Sequence, residues 1–144
     1  MTTIREATEV DVPAVVGMAM AFIDAVYAGR LAKNPEQCAV FARSLIANDD
    51  AVLLIADRGD PVGMFGMMVY LHPMSGERIA AELAWWVNPD ARGVGLRLLH
   101  RGEVWARAKG AAVLQMIAPS DDVAQLYERL GFDRIETSYQ RRLT

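Results

Sequence analysis

Cysteine is almost absent. Cys38 is the only one in 144 residues, so no internal disulfide can form and a reducing compartment is expected. Histidine is nearly as scarce: His72 and His100 fall on different predicted elements, with no cysteine or carboxylate pattern around them. No metal site is therefore expected. A basic excess is missing too. Fifteen Lys and Arg against 18 Asp and Glu leave a net charge of -3, which argues against general electrostatic binding to nucleic acid. Long apolar runs are lacking. The longest, Val62 to Leu71, falls well short of the ~20 residues that a helix needs to cross a bilayer. The acidic opening MTTIREATEVD has no apolar core of the kind a signal peptide carries. Nor does any Ser- or Pro-rich linker, low-complexity tract or repeat divide the chain. The expectation is one cytoplasmic domain over residues 1–144, with neither nucleic acid nor membrane as partner.

What is present is ordinary for a globular fold: 53% hydrophobic and 23% charged residues, enough to bury a core at this length. Residues 2–6 read as a strand. Asp11 reads as a helix N-cap ahead of Pro13, and Val12, Val15, Val16, Ala19, Phe22, Ile23 and Val26 recur at helical spacing. Asn34-Pro35-Glu36-Gln37 opens a second helix with Cys38, Phe41, Ala42 and Leu45 inward. Val52 to Ala56 and Val62 to Leu71 flank the turn Arg58-Gly59-Asp60-Pro61 as a hairpin. Strands over 79–87 and 113–117 enclose a helix over 94–109. Ser120 caps a short helix with Val123, Leu126, Tyr127 and Leu130 inward, and a last strand runs from Phe132 to Arg141. The order β-α-α-β-β-β-α-β-α-β predicts an α/β (α+β) domain, a mixed sheet flanked by helices on both faces.

The stretch VNPDARGVGLRLL places a cation and two glycines where a strand's carboxyl end meets a helix N-terminus. The strand–helix–strand unit around it should be parallel with a right-handed crossover. Free N–H groups and the positive end of the helix dipole favour an anion at such a point. Gly93 and Gly95 permit a tight turn and close approach, and Arg92 adds a formal charge. Phosphate binding is one reading of these six residues. A plain strand-to-helix turn is the other.

The wider context resembles the GNAT superfamily of acetyl-CoA-dependent N-acetyltransferases. That family's phosphate turn has Gln or Arg, two free positions, Gly, one free position, then Gly or Ala. Arg92-Gly93-Val94-Gly95-Leu96-Arg97 matches it up to the last position. The family's later helix commonly carries Tyr, three free residues and Gly-Phe, which Tyr127-Glu128-Arg129-Leu130-Gly131-Phe132 matches in full. IREATEVDVPAV and LIADRGDPVGMF are similar to the family's entry into its first helix and its hairpin. The resemblance implies acetyl-CoA as co-substrate, with its pyrophosphate on the 92–97 turn. It also implies a pantetheine arm along the backbone of Trp85, Trp86 and Val87, bonding as an added strand would. Two departures stand out. Arg97 replaces a small residue, and it either pairs with a phosphate or obstructs the approach. Ser120 stands where the family often has an Asn that contacts the cofactor.

Acetyl transfer to an alkyl amine needs loss of the ammonium proton, stabilisation of an oxyanion and a proton for the departing thiolate. Glu82 is the candidate base, in a strand whose apolar neighbours would raise a carboxyl's pKa. A structural glutamate, on an exposed face or paired with Arg78, is the competing reading, because a one-residue slip reverses a strand's faces. Tyr127 is the candidate acid by the family match, and its helical spacing also suits a packed core ring. The resemblance puts the oxyanion at a backbone N–H near Val87. Trp85 and Trp86 should face opposite sides of the sheet, while Met64, Met67 and Met68 read as core or pocket lining. The acceptor, a small-molecule or peptide amine, would meet a cleft lined by Phe22, Tyr27, Tyr70, His72 and Tyr139. Dimers are common among proteins of this kind, so a homodimer stays open. The alternative function is a catalytically weak or inactive GNAT-like domain that binds CoA or a protein partner.

Overall fold

The computed structural model describes residues 1–91 and 93–144. β1 (Thr3–Glu6) is followed by a 3-10 turn (Glu9–Asp11), then α1 (Val12–Val26), α2 (Pro35–Ala47), β2 (Ala51–Asp57), β3 (Pro61–Leu71) and β4 (Arg78–Val87). After these come α3 (Gly95–Ala108), β5 (Val113–Gln115) and α4 (Asp121–Arg129). The strands lie in the order β1-β2-β3-β4-β5. Three junctions are antiparallel, and β4–β5 alone is parallel, as the helical crossover requires.

The apolar run in β2 is buried on both faces, which is why it shows no polar alternation. Leu53 and Ile55 join Met64 and Ala84 beneath α1 and α2, while Val52, Leu54 and Ala56 join Phe65, Met67 and Ala80 beneath α3. Helices thus cover both faces, as expected. Asn34 caps α2 by accepting from the Gln37 N–H at 3.0 Å, and Gly59 takes a φ of 93° in the hairpin turn, a value that glycine alone adopts without strain.

Four local expectations are corrected. The strand predicted over Phe132 to Arg141 does not form among the described residues. β5 is only three residues long and offers too short an edge for another strand, and Ile135, Tyr139 and Leu143 stay exposed. β5 itself stops at Gln115 rather than 117. Asp11 does not cap α1. Its carboxylate turns back to accept from the Thr8 N–H at 2.8 Å and from Arg5 Nη1 and Nη2, each at 2.8 Å, because a half-buried guanidinium is a stronger partner than a helix amide. That pairing holds the Asp11 carboxyl below its usual range, against the opposing effect of burial. Leu130 points outward, and Ala124 and Tyr127 form the buried side of α4.

β1 is an edge strand. The Ala7 N–H donates to the Leu53 carbonyl, so Thr2, Ile4 and Glu6, of the opposite parity, direct their carbonyls away from β2. Arginines meet all three: Arg97 Nη2 donates to Thr2 at 2.9 Å, Arg101 Nη1 to Ile4 at 3.4 Å and Arg5 Nη1 to Glu6 at 3.2 Å.

Candidate active site

The site begins with an irregularity in β4. Met67 pairs with Glu82 and Gly66 with Ala84, so Leu83 is an extra residue opposite no partner. Such a bulge restarts the side-chain alternation one step out of phase. Glu82 therefore shares a face with Ala80, and Trp85, three residues on, returns to that same α3 side. Trp86 packs on the α1–α2 side with Ala84. The two tryptophans do face opposite layers. The one-residue ambiguity in Glu82 is settled by the bulge, and the side chain is 6% exposed.

Next comes a divergence. The β4–β5 ladder covers only Ile79 to Ala81 opposite Val113 to Gln115, and beyond it the two chains separate. Ile117, past the end of β5, turns its backbone to side chains instead. Glu82 Oε1 accepts from the Ile117 N–H at 3.1 Å, and the Tyr127 phenol donates to the Ile117 carbonyl at 2.9 Å. One peptide segment thus holds the two expected catalytic side chains side by side. No sequence signal marks Ile117 for this role, since it acts through backbone atoms alone.

Each side chain alters the other. Burial raises the Glu82 carboxyl from 4.5 to about 7, although the Ile117 N–H and the phenol both favour the ionised form. Burial also pushes the Tyr127 phenol above its ordinary range, and the nearby Glu82 charge adds to the shift. At neutral pH Glu82 is poised between its two forms while Tyr127 stays protonated. Tyr127 is fixed by ring packing: it stacks on Trp85 at 6.0 Å and 18°, and meets Phe132 at 5.5 Å.

The residues expected to meet acetyl-CoA lie at the same end of β4. The Asn88 N–H donates to the Val62 carbonyl, so ladder parity turns the Trp86 backbone toward β3 and the backbones of Trp85 and Val87 toward the diverging β5 side. Of the three strand residues expected there, Trp85 and Val87 present backbone groups and Trp86 does not. Gly93 has a φ of 84°, so the turn needs glycine at this position. Val94 is the N-cap of α3 but gives no side-chain cap bond, and Gly95 and Leu96 open the helix, leaving the first amides without intrahelical acceptors. Arg92 lies outside the described residues. Arg97 is turned to Thr2 instead of across the turn, and Ser120 caps α4 by accepting from the Val123 N–H at 3.4 Å.

Other expected residues take structural positions. His72 Nδ1 accepts from the Met74 and Ser75 N–H groups at 3.2 and 3.4 Å, which organises the turn between β3 and β4. Phe22 and Tyr27 meet at 5.8 Å, but Tyr139, 90% exposed, forms no wall with them. Two hollows lie elsewhere, one of about 150 Å³ near Glu6, Asn48 and Trp105 and one of about 550 Å³ beside Thr3, Arg97, His100 and Arg101.

The fold is shared with solved structures. A transcriptional regulator from Bacillus halodurans superposes with a TM-score of 0.83 at 24% identity, over 99% of this chain and 100% of the other. A GCN5-related N-acetyltransferase from Ralstonia eutropha gives 0.80 at 20% identity over 100% of both chains. An aminoglycoside N-acetyltransferase in complex with CoA gives 0.79 at 17%, over 99% of this chain and 94% of that one. Among curated proteins none matches in sequence. The family model for the acetyltransferase (GNAT) family, however, matches residues 27–132. That span runs from the end of α1 to Phe132 and holds Glu82, the 92–97 turn and Tyr127, so the chain belongs to the acetyltransferase (GNAT) family.

Proposed function

We propose that this acetyltransferase moves the acetyl group of acetyl-CoA to a primary amine of a small molecule, peptide or protein by direct attack. The observation that carries the reading is the meeting of Glu82 and Tyr127 on the backbone of Ile117, one poised to take a proton and the other to give one. Acetyl-CoA, when bound, supplies an acyl group activated as a thioester. The residues present suit such a carrier: the amides of Gly93, Val94, Gly95 and Leu96 for its diphosphate, and the β5-facing backbones of Trp85 and Val87 for its arm.

Glu82, held near neutrality by burial, removes the ammonium proton of the acceptor, directly or through one water. Its coupling to Tyr127 then matters. While Glu82 is ionised, its charge holds the phenol's proton in place. Once Glu82 has taken up a proton that charge is gone and Tyr127 becomes a stronger acid, better able to stabilise or protonate a thiolate. A proton gained at one oxygen thus eases the loss of a proton at its neighbour. The Val87 N–H, turned toward the divergence, is the donor available to a developing oxyanion.

Arg97 and Ser120, the two departures from the family pattern, are each occupied in the fold. A domain that binds the carrier without turnover is the competing reading. Isothermal titration with acetyl-CoA, followed by free-thiol release across a panel of primary amines, separates the two. The proposal expects saturable binding and amine-dependent thiol release. Binding without release with any amine favours the non-catalytic domain, and no heat at millimolar acetyl-CoA refutes both.

A further inference from the structure

Neighbouring tryptophans in β4 are treated differently by the fold. The Trp86 indole N–H donates to Asn88 Oδ1 at 2.9 Å. The Trp85 indole N–H is buried and has no acceptor among the described residues, the single side-chain polar atom of which this is so. A buried donor without a partner weakens a fold, and native structures rarely keep one without a reason.

Trp85 cannot turn its nitrogen to water. Phe65 meets the ring edge-on at 6.0 Å and 71°, and Tyr127 stacks on it at 6.0 Å. The nitrogen lies beside the head of α3. A Cβ placed on Gly95 would lie 3.9 Å from Trp85 Nε1, 3.6 Å from its Cζ2 and 3.5 Å from Val87 Cγ2. Gly95 is the first residue of α3, where the opening amides also lack acceptors on their own helix. Donors therefore converge there from an indole and a helix terminus, and the described residues place no carboxylate against the indole nitrogen.

We infer that the Trp85 indole N–H is a binding donor that takes an acceptor oxygen of the acyl carrier at the head of α3. The inference rests on the acetyl-CoA reading above and adds to it a side chain that selects for an oxygen where an apolar ring would only pack. The orphaned donor is then a cost accepted by the free protein and relieved in the complex. Two oxygens of the carrier fit this chemistry, one on the diphosphate and one on an amide of the arm, and separate ligands tell them apart.

The test exchanges Trp85 for β-(3-benzothienyl)alanine through a reassigned codon, which puts sulfur in place of N–H at nearly constant shape. The same exchange at Trp86 is the control. Binding is measured for CoA, for ADP (diphosphate without the arm) and for S-acetylpantetheine (arm without the diphosphate), along with the melting temperature of the free protein. At position 85 the exchange should weaken CoA about tenfold, the scale of one charge-assisted hydrogen bond, with the free protein melting no lower. At position 86 it should lower the melting temperature and leave CoA within twofold. A parallel loss for ADP assigns the diphosphate oxygen, and a loss for S-acetylpantetheine assigns the arm. In the unaltered protein, the Trp85 indole N–H resonance should move on titration with CoA while that of Trp86 holds its place. Unchanged CoA affinity at position 85, or an affinity loss that merely follows a fall in melting temperature, overturns the inference alone. Failure of the unaltered protein to bind CoA removes the acyl-carrier reading and the inference together.

Discussion

Replacing Glu82 by glutamine tests whether a poised carboxyl sits at the divergence of β4 and β5. The group is 6% exposed, and its pKa rises from 4.5 to about 7 on folding, with burial as the leading cause. A folded pKa above the unfolded one means that the native state binds this proton more tightly. Its contribution to stability is full below pH 4.5 and is lost as pH rises through 7. At about 1.4 kcal/mol for each tenfold change in proton affinity, the ionised side chain costs the fold about 3 kcal/mol at pH 8 relative to pH 4. Glutamine keeps the size and can still accept from the Ile117 N–H, but it carries no charge. Urea unfolding of both proteins at several pH values between 4 and 8 should therefore give a stability difference that changes by about 3 kcal/mol, with the Glu82→Gln variant favoured on the alkaline side. At typical urea sensitivities that is a shift in relative midpoint of roughly 1–3 M. Other titrating groups are common to both chains and cancel in the difference. Turnover should rise through a limb near pH 7 in the parent and lose that limb in the variant. Parallel stability curves would refute the buried, titrating carboxyl outright, whatever the kinetics show.

Tyr127→Phe removes the hydroxyl that donates to the Ile117 carbonyl but leaves a ring to pack on Trp85 and Phe132. Turnover should fall by about a hundredfold or more, with acetyl-CoA affinity within threefold by titration. Loss of the hydroxyl beside Glu82, which favours its ionised form, should also carry the Glu82 limb to higher pH, and an unchanged turnover number would remove Tyr127 from proton transfer. Gly102→Ala should destabilise, because the new Cβ would lie 2.8 Å from Phe65 Cε1. Overpacking costs about 1–3 kcal/mol against a gain of at most about 1 kcal/mol in helix propensity. Gly17→Ala in α1, where nothing lies within 4 Å, should gain by the propensity alone. Thermal melts that move both variants the same way would contradict the packing argument.

Much of the architecture is legible in the sequence because local signals agree with one another. Asn34-Pro35 and Ser120 announce helix starts, and the charged turn at Arg58 to Pro61 announces the hairpin. The two-sided apolar run of β2 announces a buried strand. The tail misleads because its composition suits a strand, while pairing depends on a neighbour's length that no local window contains. Asp11 misleads for a related reason: its cap-like position shows in a local window, whereas the guanidinium of Arg5, shared between Asp11 and Asp57, does not. At the site, residue types are readable and phase is not. Tyr127 belongs to a motif, but the face taken by Glu82 turns on one surplus residue, Leu83, which looks like any other strand leucine. Ile117 contributes only peptide atoms, so its side chain carries no sign of its use.

The three arginines along β1 give Arg97 a meaning that the phosphate turn could not. A sheet that stops at a short outer strand is an invitation to accretion, since any extended peptide can dock on bare carbonyls. Here those oxygens are already taken by guanidinium groups, and a newcomer would have to displace a cation for each carbonyl it uses. The bulky residue at position 97 thus narrows what that flank can offer an added strand, by occupying the first of its outward carbonyls.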